Sequence, residues 1–235
     1  MTPQTRLLRA LSRALAAAGT PARAEGARAY MKSVMPFHGV DATTLRAICK
    51  SVFAEHAVRD AQSWRKDVLG IWRGAKFREE RYAAIELTGD RRARAFQTMA
   101  SLPMYQEMIV TGAWWDLVDA LATKRLGEIL RNEPGPMRRA MRAWSRGPDV
   151  WKRRAAILCQ NTFKKDTDLD FLFAMIEPSV ASREFFLAKA IGWALRSYAW
   201  TDARPIVRYV EENRARLAPL SVREALKNVR PGKVR

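Results

Sequence analysis

Arg154-Ala155-Ala156-Ile157-Leu158 is the stretch on which the fold turns. Alone it is one apolar helical segment, with small residues ahead of two large aliphatic ones. It has counterparts elsewhere. Tyr82-Ala83-Ala84-Ile85-Glu86-Leu87, Val118-Asp119-Ala120-Leu121 and Lys189-Ala190-Ile191-Gly192-Trp193 carry the same Ala–aliphatic pair. The pairs end at Ile85, Leu121, Ile157 and Ile191, at intervals of 36, 36 and 34 residues. A period of this size with two helices per unit predicts an all-α, HEAT-like α-solenoid of antiparallel helix pairs. Alanine lets paired helices approach, and the Ile or Leu fills the layer between neighbouring units. Such a stack curves and offers a concave face, here a basic one, able to follow a duplex.

Helical signals extend in both directions from these markers. Asp41 precedes Leu45, Ile48, Cys49, Val52 and Phe53, an N-cap followed by an apolar face at helical spacing. Comparable stripes run over 64–72, 77–87, 114–130, 137–144, 150–163, 171–176 and 185–200. Thr88-Gly89-Asp90, Glu133-Pro134-Gly135-Pro136, Gly147-Pro148-Asp149 and Glu177-Pro178-Ser179 punctuate them. No stretch alternates as a strand would, so residues 1–235 read as one all-α domain. Residues 1–24 hold several arginines and no acid, as a transit peptide does. Leu7, Leu8, Leu11 and Leu15 recur at helical spacing there, which favours a first structural helix.

Forty-two Lys and Arg stand against 24 acids, a formal net charge of +18. The cations are spread along the chain, which points to a folded basic surface and an anionic partner, nucleic acid before acidic membrane. Cys49 and Cys159 lie in apolar helical contexts without C-x-x-C spacing and read as reduced core thiols. Two histidines, His38 and His56, and no cysteine cluster argue against a metal site. No apolar run approaches the roughly 18 residues of a membrane span, so a cytoplasmic protein is expected. No phosphate-cradling glycine loop, Ser/His/Asp set or glycine hairpin turn is present.

Trp114-Trp115-Asp116-Leu117-Val118-Asp119 sets two indoles and two carboxylates within six residues. A basic protein keeps carboxylates away from a surface meant for phosphate, whereas a carboxylate beside aromatic faces suits stabilisation of a cation. On a helix Trp115 and Asp119 share a face, and Trp114 points about 100° away. The segment by itself also permits both indoles in the core, with Asp119 a surface charge. The repeat register favours the first reading. Asp119, Arg154 and Trp193 each fall within three residues of a marker, so equivalent helices would bring them to one surface, with Arg154 available for phosphate. Lys189 and Arg196, four before and three after Trp193, give its helix a basic flank for the DNA backbone. Tyr30, ahead of Pro36-Phe37-His38-Gly39, reads as a half-buried packing residue, and His38 as a turn or capping residue.

These residues resemble the AlkD-like DNA alkylation-repair glycosylases, HEAT-like-repeat proteins that excise alkylated bases. The resemblance is carried by 29–32, 110–119, 151–158, 184–196 and 217–225, in family order over nearly the whole chain. Its most specific blocks are W-W-D-x-V-D and K-A-I-G-W-x-L-R. It implies an active groove of Trp115, Asp119 and Trp193, with Arg154 on the DNA backbone and Tyr30 at the groove's edge. One departure stands out. The family's turn after Gly-Ile commonly carries a proline near the lesion, whereas Gly39-Val40-Asp41-Ala42-Thr43-Thr44 has none.

The resemblance implies a monofunctional glycosylase acting on duplex DNA with positively charged alkylpurines, chiefly 7-methylguanine and 3-methyladenine. No metal or organic cofactor and no partner subunit are implied. An N3- or N7-alkylated purine is already cationic, so it leaves without a general acid, and the protein has only to stabilise an oxocarbenium-like sugar. An ionised Asp119 offsets that charge or orients water, and the indoles of Trp115 and Trp193 flank the sugar. Family members of this type act without turning the base into a deep pocket. A non-catalytic solenoid that binds distorted or branched duplexes would share the basic face but leave this set idle. A protein–protein scaffold would bind DNA weakly at physiological salt.

Overall fold

The computed structural model describes residues 6–229, which divide between Gln97 and Thr98 into two compact units. The described residues form helices and turns and no strand, so the fold class is all-α as expected.

The first unit comprises α1 (Arg6–Ala18), α2 (Pro21–Met31), α3 (Ala42–Ala54), α4 (Ala61–Gly74) and α5 (Arg78–Thr88). The leucine stripe of α1 is buried against α3, α4 and α5, as a structural first helix requires. Asp41 caps α3, accepting from the Thr43 and Thr44 N–H groups at 3.0 Å, so the turn without proline is closed by a side-chain cap. The preceding loop is held from behind. Glu79 of α5, fully buried, accepts from the N–H groups of His38, Gly39 and Val40. Gly39 sits at φ +84°, where a Cβ would meet the Thr20 carbonyl at 2.1 Å, so only glycine fits. The His38 ring stacks on Phe77 at 3.8 Å with Nε2 3.4 Å from Glu80 Oε1, a packed side chain of the turn.

The second unit comprises α6 (Leu102–Gly112), α7 (Trp115–Ala120), α8 (Gly127–Asn132), α9 (Pro134–Arg146), α10 (Val150–Leu158), α11 (Leu169–Ile176), α12 (Phe185–Ala199), α13 (Arg204–Glu212) and α14 (Pro219–Leu226). At its centre is α10, which packs against α6, α7, α9, α11 and α12. Its Ala155, Ala156, Ile157 and Leu158 are all buried, which is why a segment so exclusively small and aliphatic marks the core. The markers Leu121, Ile157 and Ile191 are buried on consecutive packed elements of this unit.

Two stripes end differently from the sequence expectation. The 114–130 stripe is helical from Trp115, but Leu121–Leu126 widens into a π-helical turn between α7 and α8. There Thr123 Oγ1 donates to the Asp119 carbonyl at 2.8 Å, a side-chain bond back to the preceding turn. The 150–163 stripe ends at Leu158, because Gln160 turns aside to make two 3.0 Å hydrogen bonds with the Asp168 backbone. Of the helices outside the expected stripes, α2 buries no residue at all and therefore has no apolar face to read.

The last helix, α14, lies flush on α12 at Gly192. A Cβ there would meet Glu224 Cβ at 2.4 Å and the Ser221 carbonyl at 2.9 Å. Alanine favours a helix over glycine by up to about 1 kcal/mol. The clash with backbone outweighs it, so Gly192→Ala is expected to destabilise the protein by about 1–3 kcal/mol, seen as a lower denaturation midpoint.

Candidate functional site

Asp119 and Arg154 meet face to face. The Arg154 Nε donates to Asp119 Oδ1 at 2.7 Å and Nη2 to Oδ2 at 2.8 Å, a bidentate pair across 35 residues of sequence. The side chains are 6% and 14% exposed, so the pair is almost wholly withdrawn from water. The third guanidinium corner, Nη1, donates to the Phe186 carbonyl. Asp149 caps α10 by accepting from Lys152 N–H and so sets the turn that carries Arg154. The register thus brings Asp119 and Arg154 together. It does not leave Arg154 available for phosphate: its guanidinium is spent on a carboxylate and a carbonyl.

Burial pushes the Asp119 carboxyl above its ordinary value. The hydrogen bonds and charge of Arg154 oppose that rise, while Asp116 adds to it. Arg154 therefore supplies the countercharge for this carboxylate, and the pair together carries no net charge to repel incoming phosphate. Each carboxylate oxygen has two acceptor positions, so one remains on each for water or a sugar.

Trp115 shares the Asp119 face of α7 and is partly exposed; Trp193 on α12 is partly exposed too. Neither joins a ring–ring or cation–π contact among the described residues. Trp114 takes the other course. As N-cap of α7 it turns into a cluster with Phe186 at 5.3 Å and Trp151 at 6.2 Å, and its buried Nε1 has no hydrogen-bond partner. That cluster braces the strand of backbone whose Phe186 carbonyl receives Arg154.

Lys189 and Arg196 flank Trp193 as expected, but both bind Glu224 of α14, Lys189 Nζ at 2.8 Å. Hydrogen bonds from Lys189 and then Arg196 draw the Glu224 carboxyl down to about 2. Its folded-state value lies below the ordinary 4.5, so this stabilisation is present above 4.5 and is lost as pH falls toward 2. Glu224→Gln is expected to cost about 1–2 kcal/mol of stability while raising duplex affinity, because two cations are released from a neutralising acid. Melting and fluorescence anisotropy check the two effects. Tyr30, in the first unit, is 76% exposed on α2, which overturns its reading as half-buried packing.

Four participants were not legible in the sequence: the Phe186 carbonyl, Trp151, Thr123 and Glu224. A carbonyl leaves no trace in residue type. Trp151 and Glu224 make their contacts through packing between helices, which a single-helix periodicity does not encode, and Thr123 bonds back to the Asp119 carbonyl from the following turn. Cys49 and Cys159 are buried free thiols, both pushed up to about 12 by burial, as core cysteines should be. No helix among the described residues is long and apolar enough to cross a membrane.

No curated protein matches the sequence. A solved structure described as a predicted DNA alkylation repair enzyme from Enterococcus faecalis superimposes with a TM-score of 0.74 at 28% identity, covering 90% of this chain and 96% of that one. The model of the family described as DNA alkylation repair enzyme matches residues 11–229, which takes in the paired Asp119 and Arg154, both half-exposed indoles and the Glu224 brace. An all-α scaffold and a sequence match over almost its full length agree, and the chain belongs to the DNA alkylation repair enzyme family.

Proposed function

We propose that the protein is a monofunctional DNA glycosylase that hydrolyses the N-glycosidic bond of positively charged alkylpurines in duplex DNA, 7-methylguanine and 3-methyladenine foremost. The observation that carries the proposal is Asp119, a largely buried carboxylate paired and oriented by Arg154, with Trp115 on its helix face. A neutral surface would need no such investment. Burying a carboxylate is favoured only when a countercharge accompanies it, and the site retains one unoccupied acceptor position per oxygen.

In the proposed reaction the C1′–N9 electron pair departs with the base and cancels its positive charge. The developing oxocarbenium sugar sits against Asp119 and the indole faces of Trp115 and Trp193, each cation–π contact being worth about 0.5–2 kcal/mol. Water adds to C1′ and gives up its proton to the Asp119 carboxylate or to solvent. Tyr30 is proposed as a DNA contact. Lys189 and Arg196 reach phosphate only by sharing or leaving Glu224. Both units, residues 1–235, act as one DNA-binding domain and as a monomer in this reading.

The test is base release from a duplex bearing one 7-methylguanine under single-turnover conditions. Release supports the glycosylase. Tight, salt-dependent binding with no release favours the non-catalytic duplex-binding reading instead. A pH profile adds detail. Since burial raises the Asp119 carboxyl, the acid limb of the single-turnover rate is expected to lie above 3.8, the ordinary aspartate value, with activity lost as pH falls through it. An acid limb at or below that value would remove Asp119 from the reaction.

A further inference from the structure

The arginines of α9 are arranged unlike those around Asp119. The buried side of α9 is Met137, Met141, Trp144 and Ser145, one helical face turned into the unit where α9 packs on α8, α10 and α11. Arg139, Arg142 and Arg146 lie at i, i+3 and i+7 on the opposite side, all exposed. The α9 segment contains no acid. Arg139 and Arg146 have no hydrogen bond or ion pair with any described residue, and Arg142 only rests over the Phe171 ring at 5.6 Å. Their neighbour Arg138, turned toward the body, is by contrast paired with Asp168 at 2.6 Å.

Three like charges at three- and four-residue spacing repel one another, and no carboxylate among the described residues pairs with them. The helix dipole favours a cation in the last turn, which accounts for Arg146 but not for Arg139. We propose that this stripe is a second phosphate-binding surface, facing away from the layer that carries Asp119 and Arg154, and that it holds a duplex segment separate from the one at the candidate active site. From Arg139 to Arg146 the helix rises about 10 Å, enough to meet two or three successive phosphates of one strand. An anionic membrane is a poorer occupant. Between the arginines the outward face offers only alanine, with no large apolar side chain to enter a bilayer. Arginine also suits phosphate through its planar pair of donors.

A protein with two such surfaces bridges duplexes, and this can be measured without any base excision. Protein is loaded on a bead-bound undamaged duplex, and retention of a second, fluorescent duplex is read. The full chain is expected to retain it at about 50 mM salt and release it at about 200 mM. The triple variant Arg139→Gln/Arg142→Gln/Arg146→Gln is expected to retain at least tenfold less while capture on the first duplex is unchanged. The Arg→Lys triple variant restores most of the retention, because the charge is kept. Equal retention by the Gln variant, no retention by the unaltered protein, or weakened capture on the first duplex alone would overturn the proposal. Binding of phosphatidylserine vesicles that depends on the stripe, with no second duplex retained, would overturn it in favour of a membrane. Because no excision is scored, a failed glycosylase assay leaves this result standing, and the reverse holds as well.

Discussion

Release of 7-methylguanine by Asp119→Asn in a single turnover is expected to fall at least about a hundredfold, the usual cost of removing one charge aimed at the developing charge of a transition state. The amide keeps the shape and one acceptor for Arg154 but loses the negative charge that faces the sugar. The variant also leaves the Arg154 guanidinium, 6% exposed, without an anion. Stability is therefore expected to drop by about 2–3 kcal/mol, less than for a truncation, since Asn still accepts a hydrogen bond. Duplex affinity should hold or rise, because the surface becomes more positive by one unit. A rate lost while binding is kept separates chemistry from docking, and melting under the assay conditions shows that the variant is folded. Unchanged release would dismiss Asp119 from the reaction, whatever its burial.

Arg154→Gln tests the other half of the pair and has the larger structural effect. It leaves the Asp119 carboxyl without a countercharge and the Phe186 carbonyl with a weakened donor, and is expected to cost about 3–5 kcal/mol. Burial then acts on Asp119 with little opposition, so its folded-state value rises further above the ordinary one. Between those two values the folded protein holds a proton that the unfolded chain has released. The variant should accordingly be most stable below this window and lose stability as pH rises through it. Release at neutral pH should fall strongly and recover in part at higher pH, as the carboxyl ionises again. A phosphate-binding Arg154 would behave otherwise, weakening duplex affinity and lowering the salt slope by about 0.9, with the pH profile unmoved.

These two expectations mark the division between sequence and structure. The spacing of Ala84-Ile85, Ala120-Leu121, Ala156-Ile157 and Ala190-Ile191, with the helical stripes around them, was enough to name an all-α fold and to put Asp119 and Arg154 in one register. The W-W-D-x-V-D and K-A-I-G-W-x-L-R blocks were enough to indicate the family. Periodicity reports which face of a helix is apolar, and that information is local. It could not show α2, which has no buried face, nor the π-helical turn after Asp119, where a threonine hydroxyl bonds back to a carbonyl.

Charge was the most misleading quantity to read along the chain. Arg154, Lys189 and Arg196 looked like phosphate contacts, yet each meets a carboxylate: Asp119 for the first and Glu224 for the other two. Arg139, Arg142 and Arg146, which no motif singles out, lie exposed on α9 and meet no carboxylate among the described residues. Sequence determines how many cations a chain carries and on which side of a helix each one lies. For Arg154, Lys189 and Arg196 only the tertiary structure decides that they are neutralised, because the carboxylates that do so lie 28 to 35 residues away and arrive by the packing of one helix on another.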